Sequence, residues 1–134
     1  MKILWAEPCA EARLRGDTVD LYDAGFTTLW VPSLPYRVSF HVVARVRGLQ
    51  DEFAEPVMLE AYLYGPRMAP IDDLTVEVPP VSPTAEHEPG WEMRIFHVIP
   101  LVFEAEEEGW HALELYLEAQ PTPVHFSIRI GPPR

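Results

Sequence analysis

The sequence has little cysteine, glycine or lysine, no asparagine, and only short runs of apolar residues. Because Cys9 is the single cysteine, an internal disulfide bond and a metal site built from several thiolates are excluded. The apolar runs are too short for a helix that crosses a bilayer. The seven glycines occur singly, so the chain has no glycine-rich loop of the kind that holds a phosphate group.

The charge balance is strongly acidic, with 21 acidic residues, 10 basic residues and a formal net charge of -11. A field of this sign repels phosphate, so we expect no nucleic-acid partner. Arg37, Arg45 and Arg47 fall on the polar side of one predicted strand. They favour either a local basic patch or a solvated sheet face balanced by carboxylates on neighbouring strands.

The amino-terminal segment gives no sign of a targeting sequence. Its apolar residues are interrupted at Glu7, before they reach the length of a signal-peptide core. With no membrane-spanning segment predicted, we expect a cytoplasmic protein that does not contact a membrane. Arginine outnumbers lysine nine to one and fifteen residues are proline, a composition that heat-stable proteins and GC-rich genomes share.

The clearest structural signal is the alternation between Tyr36 and Arg47. Every even position is apolar and every odd position is polar except Val43, which is typical of a β-strand with one buried and one solvated side. The same pattern returns between Val124 and Ile130. No segment of useful length has the 3.6-residue apolar period of a helix, so the chain is predicted to be all-β.

The predicted architecture is an antiparallel β-sandwich of eight or nine short strands separated by glycine and proline turns. At 134 residues the chain is the size of one domain, which we place over residues 1–134. The sandwich is expected to be immunoglobulin-like or jelly-roll-like, with a small β-barrel as the alternative. A proline-rich, acidic stretch at about residues 79–90 has nothing to bury and is predicted to be a surface loop.

Three local assignments depend on the detail of the pattern. The segment from Ile3 to Leu14 is predicted to be one edge strand, kinked or bulged at Pro8. Cys9 alternates with charged residues there, so its thiol is expected to be partly exposed. The segment from Trp91 to Phe103 is apolar on both sides and is therefore predicted to be a central strand.

This order of elements resembles a family of short, uncharacterised bacterial all-β proteins. The shared pattern is a first strand, a glycine hairpin turn, a glycine–aromatic segment, a Pro-x-x-Pro entry into a long alternating strand, a second glycine–aromatic strand, and a last strand ending in Gly-Pro-Pro. In this sequence the matching segments are Arg15-Gly16-Asp17, Gly25-Phe26, Pro32 to Pro35, Gly109-Trp110 and Gly131 to Pro133. The resemblance covers most of the chain and implies the sandwich fold, and it brings no catalytic residue.

Residue types used in catalysis and metal binding are present but form no known motif. The five histidines have neither the spacing of a helical HExxH motif nor the i, i+2 spacing of one strand face. No serine lies in a Gly-x-Ser-x-Gly turn, and the glutamates from Glu104 to Glu108 are typical of a solvated turn. We therefore expect no catalytic residues, no metal and no cofactor, with an enzyme that combines histidines and glutamates as the remaining alternative. The histidines are His41, His87, His97, His111 and His125.

Five large side chains on two predicted strands are expected to point away from the core. They are Met58, Tyr62, Tyr64, Trp110 and Tyr116. Exposed residues of these types are enriched at the centres of protein interfaces. The sequence therefore predicts a non-catalytic protein-interaction or assembly module whose partner is a second copy of the chain, a homo-oligomer. Two alternatives remain: the loop at 79–90 covers these residues within the monomer, or they form a stacking platform for a small molecule or carbohydrate.

Overall fold

The computed structural model of the chain describes residues 1–81, 91–117 and 121–132. Most of the predicted proline-rich loop, residues 82–90, lies outside the described residues. Two short 3-10 helices, Gln50–Phe53 and Pro66–Met68, lie between strands, and no helix in the described ranges combines the length and hydrophobicity needed to cross a membrane. Ten strands occur in this part of the chain: β1 (Lys2–Cys9), β2 (Glu11–Arg15), β3 (Thr18–Tyr22), β4 (Thr28–Val31), β5 (Tyr36–Leu49), β6 (Val57–Tyr64), β7 (Pro70–Val78), β8 (Glu92–Ala105), β9 (Gly109–Tyr116) and β10 (Thr122–Ile130).

The strands form two facing sheets and one separate hairpin. β5 lies between β1 and β8 in a three-stranded sheet, and the order of the five-stranded sheet is β4-β10-β9-β6-β7. The hairpin consists of β2 and β3. All pairs are antiparallel except β4 with β10, so the predicted all-β sandwich is confirmed. The described strands form separate sheets rather than one closed sheet.

The main core lies between the two sheets and follows the predicted alternation. Even-numbered residues of β5 and odd-numbered residues of β8 point inward from one sheet, and odd-numbered residues of β6 and β9 meet them from the other. Phe40 and Phe126 contact edge to face across the middle, with ring centroids 5.1 Å apart. Each fully buried Leu, Ile or Phe contributes about 1.5–3 kcal/mol relative to exposure. This core makes both sheets firm supports for the residues on their outer sides.

The hairpin β2–β3 forms a third layer on the outer side of the three-stranded sheet. It buries Val43, the single apolar residue among the central odd positions of β5, in a cluster with Cys9 and Ala12. Val19 and Leu21 of the hairpin pack against the same cluster. The one break in the alternation of β5 therefore marks the place where the outer side of the sheet is covered.

The first segment differs from the predicted single edge strand between Ile3 and Leu14. β1 ends at Cys9, and the chain turns at Ala10 to start the hairpin, which is why ten strands are present instead of eight or nine. Pro8 does not break the strand, because β1 lies at a sheet edge where a missing N–H is tolerated. The carbonyl of Pro8 accepts a 2.7 Å hydrogen bond from the N–H of Gly25.

The prediction that Cys9 is partly exposed is wrong. The residue has no exposed surface because the hairpin folds back over it, and its Sγ donates to the carbonyl oxygen of His41 at 3.6 Å. Burial is the main cause that raises the pKa of the Cys9 thiol, and the charge of Glu7 adds to it. The thiol is therefore protonated at neutral pH and shielded from reagents.

β8 is an edge strand of the three-stranded sheet, so the prediction of a central strand is also wrong. β5 occupies the central position. The apolar residues on the outer side of β8 have a different cause: Phe96 and Val98 pack against the hairpin cluster, whereas Val102 lies farther along and is 43% exposed. β8 is therefore apolar on both sides because the hairpin covers part of its outer side.

Candidate functional site

All five residues predicted to face outward lie on the same side of the five-stranded sheet. β6 and β9 are antiparallel neighbours, and Tyr62 lies opposite Glu114 in their register. Residues directly opposite each other share a side of a sheet, so the even-numbered residues of both strands form one surface. This stripe is about 25 Å long at roughly 3.3 Å per residue. We name as the tyrosine face the residues Met58, Tyr62, Tyr64, Trp110 and Tyr116.

Two tyrosines and two glutamates form a checkerboard at the centre of the tyrosine face. Tyr62 lies opposite Glu114, and Tyr116 lies opposite Glu60, so the two tyrosines are diagonal neighbours. Their rings meet edge to face at 84°, with centroids 5.5 Å apart. The hydroxyl of Tyr62 donates to Oε2 of Glu60 at 3.0 Å. The hydroxyl of Tyr116 donates to Oε2 of Glu114 at 3.0 Å, so each ring is held both at its hydroxyl and at its edge or face.

The carboxylates keep both tyrosine hydroxyls protonated. The hydrogen bond to Glu60 is the main cause that raises the pKa of Tyr62, and the charge of Glu60 adds to it. The hydrogen bond to Glu114 likewise raises the pKa of Tyr116. Each pair therefore presents one negative charge and one donor already engaged with it. A partner that approaches this surface at neutral pH meets carboxylates and ring edges, without any tyrosinate.

The two ends of the tyrosine face carry its most exposed side chains. Trp110 is 58% exposed and Met58 is 55% exposed, whereas the three tyrosines are half-buried. A tryptophan that keeps more than half of its surface in water forgoes the apolar burial that stabilises such side chains in a core. Exposed tryptophan and methionine beside ordered tyrosines are typical of interface cores.

Carboxylates surround the tyrosine face. Asp73 of the edge strand β7 lies opposite Tyr62, and Glu77 lies opposite Met58. Together with Glu60 and Glu114, these give four carboxylates on the outer side of β6, β7 and β9. The stripe is therefore aromatic at its centre and acidic around it.

The loop predicted to cover these residues falls mainly on residues 82–90, outside the described residues. Val81, the last described residue before them, donates its N–H to the carbonyl of Phe53 at 2.9 Å and packs against the main core. Coverage of the tyrosine face by the loop at 79–90 stays a prediction.

The four described histidines lie on four different strands. His97 and His111 are buried, and burial is the main cause that lowers the pKa of each imidazole. Nδ1 of His41 accepts a 2.8 Å hydrogen bond from a backbone N–H of the hairpin, and His125 is exposed on the other sheet. His87 lies outside the described residues. Within the described ranges, no three or more His, Cys, Asp or Glu side chains are grouped as metal ligands would be.

A cleft of about 530 Å³ at one end of the sandwich was not predicted from the sequence. It lies between the Pro66–Met68 turn and the turn after β8, and its lining includes Phe103 and His111. Arg67 joins the two turns because its Nη2 donates to both carboxylate oxygens of Glu107, at 3.0 and 3.1 Å. The lining includes no residue of the tyrosine face. The sequence contains little that indicates this cleft, because no motif in a Gly-Pro turn or in an acidic turn shows that the two turns lie side by side.

The three arginines predicted to share the polar side of β5 have different surroundings. Arg37 lies opposite a glutamate near one end of the strand, and Arg47 pairs with Glu92 at 3.2 Å near the other. The guanidinium of Arg45 lies 4.1 Å from the ring centre of Phe96. Carboxylates on the neighbouring strand thus lie beside Arg37 and Arg47, as one of the two predicted alternatives has it.

No model of a known protein family matches the chain, and no curated protein matches it at a significant level. The resemblance to short bacterial all-β proteins therefore stays a prediction.

Proposed function

We propose that this chain is a non-catalytic assembly module that associates with further copies of itself through the tyrosine face. One observation carries the proposal: exposed Trp110 and Met58 flank an ordered Tyr–Glu checkerboard on the outer side of a firm sheet. Exposed apolar surface of this kind gains free energy when a partner removes it from water.

The fixed geometry of the checkerboard favours binding of a partner, in addition to the exposure of the tyrosine face. Tyr62 and Tyr116 are fixed by ring contact and by hydrogen bonds before any partner arrives. Their burial in an interface therefore costs little additional side-chain entropy. Tyrosine and tryptophan are also the residue types that most often dominate the binding energy of an interface.

The proposed setting is the cytoplasm, without a cofactor or a membrane partner. A single thiol, Cys9, buried and reduced, is consistent with a reducing compartment. The acidic net charge of -11 opposes contact with phosphate-rich surfaces.

Light scattering on a double variant tests this function. The wild-type chain should have a molar mass above the 15.3 kDa of one chain, and the variant with Tyr62→Glu and Tyr64→Glu should be a folded 15.3 kDa monomer. The matched control, Tyr22→Glu with Tyr36→Glu, changes two exposed tyrosines on other elements and should keep the wild-type mass. A wild-type monomer, or an assembly that survives the first pair of changes, contradicts the proposal.

A small-molecule binder is the second candidate, and the cleft is the observation that favours it. Its volume of about 530 Å³ lies within the range of ligand pockets, about 300–1,000 Å³. Nuclear magnetic resonance titration with monosaccharides and small amines separates the possible sites. Binding in the cleft shifts His111 and Phe103, whereas stacking on the tyrosine face shifts the indole of Trp110.

A further inference from the structure

The outer side of the three-stranded sheet carries an unusual row of cations for so acidic a chain. Lys2 of β1 lies opposite Arg47 of β5, and Arg47 lies opposite Arg94 of β8. Like charges placed directly opposite each other on neighbouring strands destabilise a sheet. One carboxylate, Glu92, offsets them: the same Oε1 lies 3.2 Å from Nε of Arg47 and 3.5 Å from Nε of Arg94.

The next row along the same strands combines a cation with two aromatic rings. Trp5 lies opposite Arg45, which lies opposite Phe96. The guanidinium of Arg45 lies over the ring of Phe96 at 4.1 Å, and Trp5 contacts the same ring edge-on with centroids 6.1 Å apart. Trp5 is 38% exposed. We name the two rows together the arginine face: Lys2, Trp5, Arg45, Arg47, Arg94 and Phe96.

Among the described residues, carboxylates neutralise the arginine face only in part. It holds four of the ten basic residues, and one carboxylate lies within ion-pair distance of two of them. A hollow of about 360 Å³ beside the row is lined in part by Lys2, Arg47 and the exposed Leu49. Glu52 and Glu92 also line this hollow. The surface thus offers cations and the partly exposed ring of Trp5 to a partner that brings carboxylates and aromatic side chains.

The tyrosine face has this complementary chemistry. It presents four carboxylates around Tyr62 and Tyr116, on the opposite outer side of the sandwich. We propose that the arginine face of one copy receives the tyrosine face of the next, so that the chain assembles head to tail. This inference rests on the proposed function, since it names the surface to which the tyrosine face binds.

Charge favours this pairing over contact between two tyrosine faces. If two tyrosine faces met, the four carboxylates of one would repel the four carboxylates of the other, in a chain of net charge -11. The arginine face instead supplies guanidinium groups, which bind a carboxylate through two hydrogen bonds and stack on aromatic rings. A head-to-tail contact leaves one free face at each end. It therefore produces a ring or an open chain rather than a closed pair.

Mixing two variants tests the pairing. The first carries Tyr62→Glu with Tyr64→Glu, and the second carries Arg47→Glu with Arg94→Glu. Each alone should be a folded 15.3 kDa monomer, and an equimolar mixture should form a pair of twice that mass, because each brings the face that the other lacks. The matched control, Arg13→Glu with Arg15→Glu, changes two exposed hairpin arginines and should assemble as the wild type does.

The outcomes distinguish this inference from the proposed function. If the arginine variant still assembles alone as the wild type does, the head-to-tail pairing is wrong while self-association through the tyrosine face stands. If both variants are folded monomers whose mixture stays at 15.3 kDa, the pairing is also wrong. If the tyrosine variant still assembles alone, the proposed function itself fails.

The charge dependence gives a second readout, with a variant whose net charge changes by two units instead of four. Arg47→Gln with Arg94→Gln removes the two cations without adding carboxylates, and should raise the dissociation constant at least tenfold. Raising the salt from about 0.05 M to about 0.5 M screens the ion pairs and should also weaken the wild-type assembly. An affinity unchanged by both contradicts the pairing.

Discussion

The rings of Tyr62 and Tyr116 meet edge to face, 5.5 Å apart and at 84°, although the two residues are not directly opposite each other. Each is diagonal to the other because a glutamate occupies the position across the ladder, and each hydroxyl bonds the glutamate two residues away on its own strand. Aromatic pairs of this geometry stabilise neighbouring strands by about 0.5–1.5 kcal/mol beyond the area that they bury. The same contact that supports the sheet also presents a fixed surface to a partner.

The first prediction concerns the protonation of these tyrosines. The pKa of Tyr62 is raised above its ordinary 10.0 mainly by the hydrogen bond to Glu60, so Glu60→Gln should move the titration of Tyr62 to lower pH. Resonances of labelled tyrosines followed through alkaline pH measure this. Glu114→Gln is the matched control, because it should shift Tyr116 and leave Tyr62 in place. The same shift of both tyrosines in both variants would contradict the pairing of each tyrosine with its own glutamate.

Assembly should follow the same titration. Because the folded pKa of each tyrosine is raised, the protonated, hydrogen-bonded state is fully present below pH 10.0 and is lost as the pH rises through the raised value. A tyrosinate next to a glutamate adds a like charge to the tyrosine face. Light scattering in strongly alkaline buffer should therefore show dissociation at a pH where circular dichroism still reports a folded chain.

The second prediction concerns His97, which is buried and whose Nε2 has no hydrogen-bond partner among the described residues. Burial lowers its pKa below the ordinary 6.5, so the stability that comes from keeping it neutral is fully present above pH 6.5 and is lost as the pH falls towards the lowered value. Each unit of lowering is worth about 1.4 kcal/mol. His97→Phe should therefore reduce the loss of unfolding free energy between about pH 7.5 and about pH 5.

Urea denaturation at both pH values measures this change. The exposed His125 provides the matched variant, since His125→Phe removes a histidine with a solvated side chain. It should leave the pH dependence as in the wild type. An equal flattening by both variants would show that burial of His97 is not the cause.

The third prediction compares two valines on the outer side of the three-stranded sheet. Val43 is fully buried beneath the hairpin, and Val102 is 43% exposed. Val43→Ala should lower the free energy of unfolding by about 2 kcal/mol, from the lost transfer energy and the cavity that remains. Val102→Ala should change it by less than about 0.5 kcal/mol. Equal losses in urea denaturation would mean that the hairpin does not cover Val43.

The fourth prediction uses Cys9 to report on the same hairpin. Its thiol is fully buried and its pKa is raised, so reaction with an aromatic disulfide reagent should be at least a hundredfold slower in the native chain than in the unfolded one. Val43→Ala should speed the native reaction, because it weakens the contact that holds the hairpin down. A fast native reaction in the wild-type chain would contradict the third layer.

Local alternation predicted which residues of a strand face the core better than it predicted how the strands pack together. The sides of β5, β6 and β9 follow from a period of two residues, so the inward set around Phe40 and the outward set around Tyr62 were predicted correctly. The edge position of β8 and the burial of Cys9 depend on the hairpin layer. A pattern within one strand contains no information on which element covers its outer side.

The neighbours of each strand also depend on contacts between distant residues. Ser127 of β10 and Thr28 of β4 share a 3.2 Å hydrogen bond across 99 positions, which no local pattern indicates. Arg47 was predicted to lie on the polar side of its strand, whereas its row with Arg94 appears only when β5 and β8 pair in register. For the same reason, the tyrosine face was predictable residue by residue, whereas its checkerboard was not.

The molar mass of the wild-type chain in solution tests self-association most directly. Light scattering across a concentration series from about 5 μM to about 500 μM covers the affinities of ordinary transient interfaces. If the chain associates with itself, the mass rises above 15.3 kDa as the concentration increases. A mass that stays at 15.3 kDa over the whole series would contradict self-association.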